Sequence, residues 1–411
     1  MQRHKKFILP ILLSAFLFIL FSQALSLEKK EDTFKALKLF SQIFRLIEEN
    51  YVTEVNPKEL IFGAIEGMLS SLDPYSSLLK PDEFKELEIE TKGSFTGIGI
   101  EITIKDDILT VVAPIEDTPA WKAGLKPGDR ILKIDDKSTK GMKITEAVKL
   151  LRGPKGTSVK LTILRNEKDV FEVTIIRDVI PIRSVKAKII EPGYGYVRIS
   201  QFQEKTIDEL VEALKKLEKE TQLKGIVLDL RNNPGGLLSS AVEISDEFLE
   251  NGTIVSIKGR SSSNQMEFKA TSNPQDRKHK YPIVVLINHG TASAAEIVTG
   301  ALKDNKRAVV VGEKSFGKGS VQTVIPIEDN YAVRLTTAYY YTPNGININK
   351  QGIKPDIEIP QVELAKKESP HEKIPMDNKT FSHFPSPEED FQVKMALNIL
   401  KNISVISQLK Y

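Results

Sequence analysis

At 411 residues, 40% hydrophobic and 27% charged, the sequence has an ordinary globular composition and room for two or three domains. A net charge of +3 is too small to argue for a nucleic-acid partner or a basic membrane patch. The absence of cysteine excludes disulfides and thiolate zinc sites, and the five histidines (His4, His279, His289, His371, His383) show no metal-ligand spacing, so no cofactor is expected.

The first 26 residues read as an export signal. Arg3, His4, Lys5 and Lys6 form a basic start, Phe7 to Phe21 is apolar but short for a membrane span, and Ser22-Gln23-Ala24 or Ala24-Leu25-Ser26 offers small residues for cleavage. The expected location is periplasmic or otherwise extracytoplasmic; the alternative is an uncleaved anchor in the inner membrane. Residues 27–90 read as helical. Phe34, Leu37, Leu39, Phe40, Ile43, Phe44 and Ile47 make a wide apolar face, Asn56-Pro57 breaks it, and Glu59 to Leu72 forms a second helix. Such helices either pack on a core or pair between subunits.

From residue 91 to 178 the pattern changes to short strands and glycine turns. Gly97-Ile98-Gly99-Ile100 is a turn feeding an alternating strand, Pro119 to Ile134 is a second turn-rich cluster, and Ala147, Val148 and Leu151 mark a helix. The clusters resemble a PDZ domain of the bacterial protease type. In such a domain glycine turns leave backbone N–H groups free for a terminal carboxylate, and a strand edge takes the peptide as an extra strand. Gly97, Ile98, Gly99 and Ile100 are therefore the candidate peptide-binding residues; the alternative is a PDZ-like fold whose groove serves only packing. Arg152 ends the helix where a relay from the PDZ domain to an active site could start, or where it simply caps the helix.

Residues 179–360 alternate strands with helices. Gly195 to Ile199 is a strand, Thr206 and Glu209 make a capping box, and Gly225 to Leu230 is a strand entering the tight loop Arg231-Asn-Asn-Pro-Gly235-Gly236. Pro282 to Ile287 reads as a buried strand. After the turn at Gly290, Ala294, Ile297, Val298 and Ala301 recur at helical spacing, which puts Ser293 at a helix N-terminus beside free N–H groups. Arg307 to Gly312 is another buried strand, followed by Glu313-Lys-Ser-Phe-Gly317-Lys318-Gly319. A serine hydroxyl needs a base to act as a nucleophile. No histidine has a convincing context, and glycines on both sides of Lys318 let its amine enter a crowded place, where burial would lower its pKa toward about 7 to 8. Each residue also has a plainer reading. Ser293 could be only an N-cap, and Gly312 to Lys318 spells a near miss for a phosphate loop, which fails because Gly319 replaces Ser or Thr and a strand follows instead of a helix.

Gly290-Thr-Ala-Ser293-Ala-Ala-Glu-Ile with Gly312-Glu-Lys-Ser-Phe-Gly-Lys318-Gly-Ser-Val-Gln322 resembles the paired signature of the carboxy-terminal processing peptidases, or tail-specific proteases. The resemblance implies Ser293 as nucleophile, Lys318 as general base and Gln322 as the residue orienting the lysine. It also implies an oxyanion hole from the N–H groups of Gly236 (or Gly235) and Ala294. It further implies an α/β core of the crotonase and Clp type with an inserted PDZ domain and N-terminal helices, and protein substrates engaged by their C-termini. The sequence departs from the family pattern at Tyr75, at His289, which reads as a loop side chain near the site, and at Ala295.

Past Pro360 the chain is charged and proline-rich, so 361–411 reads as a loosely held linker followed by a terminal helix from Phe391 to Ile403. The reading is an exported serine endopeptidase with a Ser293–Lys318 dyad and a preference for an apolar C-terminal residue. Partners are protein substrates, a second copy of the chain forming a homodimer or larger homo-oligomer, and an activating protein. The alternatives are a catalytically idle PDZ scaffold and a crotonase-like acyl-thioester enzyme, which would need neither the PDZ domain nor Lys318.

Overall fold

The computed structural model describes residues 31–261, 265–271, 279–361 and 386–408. The export signal expected over 1–26 and most of the linker after Pro360 lie outside the described residues. The chain divides into two compact units, one ending at Leu78 and one beginning at Leu79. The first unit holds helix α1 (31–50) and α2 (Pro57–Ser70). The break between them has a local cause. Asn56 stays extended and accepts from the Lys58 N–H, while Pro57 takes the first helical position, where its missing N–H costs nothing. Phe34, Leu37, Phe40, Ile43 and Leu46 are exposed on α1.

The second unit opens with a short strand end at Leu79 and helix α3 (Pro81–Lys92), stopped by Gly93 in the left-handed region. Strands β1 (Ser94–Gly97) and β8 (Asp178–Pro181) pair antiparallel and form the neck of a β-rich insert. The insert's sheet runs β2 (Ile100–Lys105), β3 (Ile108–Pro114), β4 (Arg130–Ile134), β6 (Ser158–Arg165), β7 (Asp169–Ile176), with β5 (Lys137–Ser138) on β4. Helices α4 (Pro119–Lys122) and α5 (Ile144–Leu151) complete it, and Leu109, Ile131, Ala147, Leu161 and Ile163 fill its core. β2 ends the sheet, so its outer edge is available for strand addition.

The larger domain is built on a six-stranded sheet in the order β9 (Val185–Glu191), β10 (Tyr194–Ile199), β11 (Gly225–Asp229), β14 (Ile283–Ile287), β15 (Ala308–Gly312), β18 (Ile357–Glu358). Only the β9/β10 pair is antiparallel. β11 and β14 are buried at every residue, as expected for parallel strands covered on both faces. One face packs on α6 (Thr206–Glu220), α7 (Leu238–Phe248) and α8 (Ala294–Asp304) through Leu214, Ile244 and Val298. The other face is covered by α9 (Phe391–Gln408), whose Val393, Ala396, Leu397 and Leu400 meet Tyr196, Val227, Val284 and Val311. The terminal helix is thus a full layer of an α/β sandwich. A second sheet of β12 (Thr253–Gly259), β13 (Gln265–Lys269), β16 (Ser320–Pro326) and β17 (Ala332–Tyr341) lies beyond α8.

Candidate active site

The candidate residues gather where β11, β14 and β15 end, the carboxyl edge at which open α/β sheets carry their chemistry. β14 runs into a turn fixed by Asn288. Its side chain accepts from the N–H groups of Asn232 and Gly290 and donates to Asn232 Oδ1. Thr291 Oγ1 donates to the Leu230 carbonyl, and the Ala292 N–H to the Asn233 carbonyl. These bonds stitch the serine turn to the glycine loop after β11. Ser293 closes the turn at φ 55° and ψ −118°, a conformation that costs about 1–3 kcal/mol and is held by its surroundings. α8 begins at the next residue.

Glu296, one turn into α8, is fully buried and takes four donors. Oε2 accepts the N–H groups of Ser293 (2.9 Å) and Lys318 (2.8 Å); Oε1 accepts the Gly317 N–H (2.7 Å) and the Ser315 hydroxyl (2.6 Å). Two amides on one oxygen bring positions 293 and 318 side by side across 25 residues of chain. Burial pushes the Glu296 carboxyl upward, while the Ser315 hydroxyl and the three N–H groups pull it back toward the charged form.

The glycines around Lys318 are explained by what their backbones touch. A Cβ on Gly319 would lie 2.3 Å from Asn349 N and one on Gly317 3.0 Å from Gly352 N. The Gly317 and Gly319 carbonyls accept from Lys350 N and Tyr340 N at 2.7 Å each. The loop is clamped against 348–352 with no room for side chains, and only Lys318 projects one. Burial holds its amine below the ordinary lysine range, the Arg334 cation pushes it further the same way, and the Glu296 charge opposes.

Gln322 lies on β16, opposite Thr336 on β17 after a bulge between Val321 and Gln322. Its Nε2 donates to Thr336 Oγ1 (2.7 Å) and Ser320 Oγ (3.2 Å), and its Oε1 is buried without a hydrogen-bond partner among the described residues. That oxygen is an acceptor in waiting for a cationic donor.

In the glycine loop the two candidates separate. Gly235 N–H is spent on Asn233 Oδ1 (2.9 Å), whereas the Gly236 N–H has no acceptor among the described residues. The Ala294 N–H, at the first position of α8, has no partner within the helix either. A Cβ on Gly235 would sit 2.7 Å from Ser293 Cβ, and one on Gly236 would sit 2.0 Å from the Phe202 carbonyl oxygen. Glycine is therefore required at both places, and the loop lies directly against the serine. Its base is a buried ion cluster. Asp229 accepts from Tyr196, Arg198 and Arg231, and Arg231 reaches Asp390 and Gln392 at the start of α9. Burial alone would raise the Asp229 carboxyl, but the charges of Arg231 and Arg198 outweigh it and hold it below the usual range.

The remaining candidates lie in the insert. Ile98 is 2% exposed and belongs to the insert's core, so it presents only backbone to a ligand. Ile100, half-buried at the start of edge strand β2, is the residue with side chain to offer. Gly97 is buried, and Gly99 (φ 79°) lies where a Cβ would meet Thr118 at 2.4 Å. Arg152 forms a two-pronged pair with Glu86 of α3 (2.7 and 3.3 Å) and lies over the Phe95 ring of β1 at 5.0 Å. These partners belong to the neck and α3, not to the serine site. His289 is exposed, with Nε2 3.8 Å from Glu313.

Against this geometry, known families match in three places. The profile of Peptidase family S41 matches residues 193–359, that of a PDZ domain 110–165, and that of the Activating protease CtpB N-terminal domain 22–82. The carboxy-terminal-processing protease of Bartonella bacilliformis is 46% identical over 359 residues, 86% of this chain and 82% of that protein. The chain belongs to the carboxy-terminal processing proteases of family S41. It is a serine-type peptidase with a PDZ domain. The carboxy-terminal processing protease CtpA of Bacillus subtilis is 40% identical over 328 residues (79% of this chain, 69% of that one), and the carboxyl-terminal-processing protease of Synechocystis 40% over 336 (79% and 78%). In this protease the S41 match spans both Ser293 and Lys318, while the PDZ match begins after Gly97 to Ile100. Sequence reasoning passed over Glu296, Thr336 and Asp390. The first had a visible signal, because Ser293-Ala-Ala-Glu296 is a capping-box spacing.

Proposed function

We propose that this protease is exported, periplasmic or otherwise extracytoplasmic, and hydrolyses peptide bonds of proteins held by their C-termini, using Ser293 and Lys318 without a cofactor. The observation that carries the reading is the shared Glu296 oxygen. It sets the backbone of a strained serine at a helix start beside that of a half-buried lysine whose pKa is lowered. Neutral Lys318 takes the Ser293 proton as Oγ attacks the carbonyl carbon. The oxyanion meets the N–H groups of Gly236 and Ala294. The Lys318 ammonium, donating to Gln322 Oε1, returns its proton to the leaving amine, and water then attacks the acyl-enzyme by the same path in reverse.

The substrate tail adds along β2, with its carboxylate at the Gly97–Gly99 turn and an apolar last residue near Ile100. Arg152, braced on Glu86 and Phe95, is the regulatory residue that links an occupied groove to the rest of the protease. The exposed apolar face of α1 serves a second copy of the chain, and the N-terminal match to an activating-protease domain supports control by an activating partner. The test is covalent labelling by a fluorophosphonate, located by mass spectrometry. Label on Ser293 that is lost in Lys318→Ala supports the dyad. Label elsewhere, or unchanged in Lys318→Ala, removes it.

A further inference from the structure

The glycine loop that follows β11 is held from below by the other end of the chain. Arg231, 1% exposed, lies five residues before Gly236. Its N–H and Nε donate to Asp229 Oδ1 (2.9 and 3.0 Å), and its carbonyl accepts from Arg198 (3.1 Å). The outer face of its guanidinium is taken by α9. Nη1 donates to Gln392 Oε1 at 2.7 Å and Asp390 Oδ1 at 3.2 Å, and Nη2 lies 2.9 Å from Asp390 Oδ2. Asp390 and Gln392 are themselves buried and fixed, Asp390 by the Val393 N–H (3.1 Å) and Gln392 by the Ile359 carbonyl (2.7 Å). Two buried carboxylates, the buried Arg231 guanidinium and the half-buried Arg198 guanidinium thus form one cluster, and one of the carboxylates comes from beyond residue 385.

A buried guanidinium with both faces paired has one orientation available; with one face stripped it must turn or draw in water. We propose that Asp390 and Gln392 are positioning residues of the active site, acting through Arg231 to hold the loop that presents the Gly236 N–H to the oxyanion. On this view α9 is a working part of the protease. The inference rests on the proposed role of Gly236 beside Ser293.

The experiment uses the full-length protease with Asp390→Asn, Gln392→Met and Ser293→Ala in parallel. Five quantities are read: kcat and KM on an unstructured protein with an apolar tail, affinity for the isolated tail peptide, inhibition by a peptide aldehyde, and Tm. Loss of an oxyanion donor costs about 100- to 1,000-fold in kcat, and a displaced donor should cost about tenfold or more. Both variants should lose kcat and aldehyde affinity together, with tail affinity within about twofold of wild type. Gln392→Met keeps the side chain's length and decides the matter if Asp390→Asn does not fold. Wild-type kcat and aldehyde affinity in folded variants, whether or not Tm falls, would show α9 to be packing only. Cleavage that survives in Ser293→Ala overturns the dyad itself, and the inference falls with it.

Discussion

Lys318 titrates where burial and the Arg334 cation both favour its neutral form. A general base works only when neutral, so kcat/KM should rise with pH through an inflection below the ordinary 10.5 of lysine. Arg334→Gln removes one of the two causes and should move that rising limb to higher pH. A profile flat from about pH 5 to 9 in both enzymes counts against a lysine base. The same shift has a stability consequence. The folded chain binds this proton less tightly than the unfolded one, so stability falls as pH drops through the folded pKa. Lys318→Met should therefore abolish cleavage while raising Tm at neutral pH by about 1–4 °C; a lower Tm would mean the amine is held by favourable contacts instead. Glu296→Gln would turn amide donors against N–H groups and leave part of the cluster unpaired, at a cost of about 1–3 kcal/mol. At this scale Ser293 and Lys318 were legible because glycines and a helix start mark them. Gln322's partner was not, since Thr336 is 14 residues away across a hairpin whose bulge shifts the register.

Among the elements, the glycine loop tolerates the least change. Gly236→Ala would set a Cβ 2.0 Å from the Phe202 carbonyl at φ 140°, so the loop must shift from its place beside Ser293. Cleavage should fall by about 100-fold or more while tail binding to the PDZ domain stays within about twofold; equal loss of both would place the defect in the global fold. Strands β11, β14 and β15 could be read directly, because a parallel strand buried on both faces must be an unbroken run of β-branched and apolar residues. The edge strand β2 and helix α5 were legible from glycine turns and helical spacing. What periodicity could not supply was depth: Ile98 and Ile100 have the same chemistry, and only the fold puts the first in the core and leaves the second half-buried at the sheet edge.

For the whole molecule, the main departure from expectation is α9. Read from the sequence it is a terminal helix after a loose linker; in the fold it covers the sheet opposite α6, α7 and α8 and, with Asp390 just before it, brings Gln392 to the cluster below the glycine loop. Contacts made across more than 150 residues leave no local pattern to read. The exposed apolar face of α1 belongs to the same scale: sedimentation should show an oligomer for the full chain and a monomer once residues up to 52 are removed, and a monomer in both would count against a second copy on that face. The most direct test of the central claim is cleavage of an unstructured protein with an apolar C-terminus by wild type, Ser293→Ala and Lys318→Ala, with binding of the same tail followed in parallel. Wild type should cut, and both variants should bind the tail as wild type does without cutting. A variant that still cuts, or a wild-type chain that binds and never cuts, would contradict the Ser293–Lys318 dyad and its separation from the tail-binding domain.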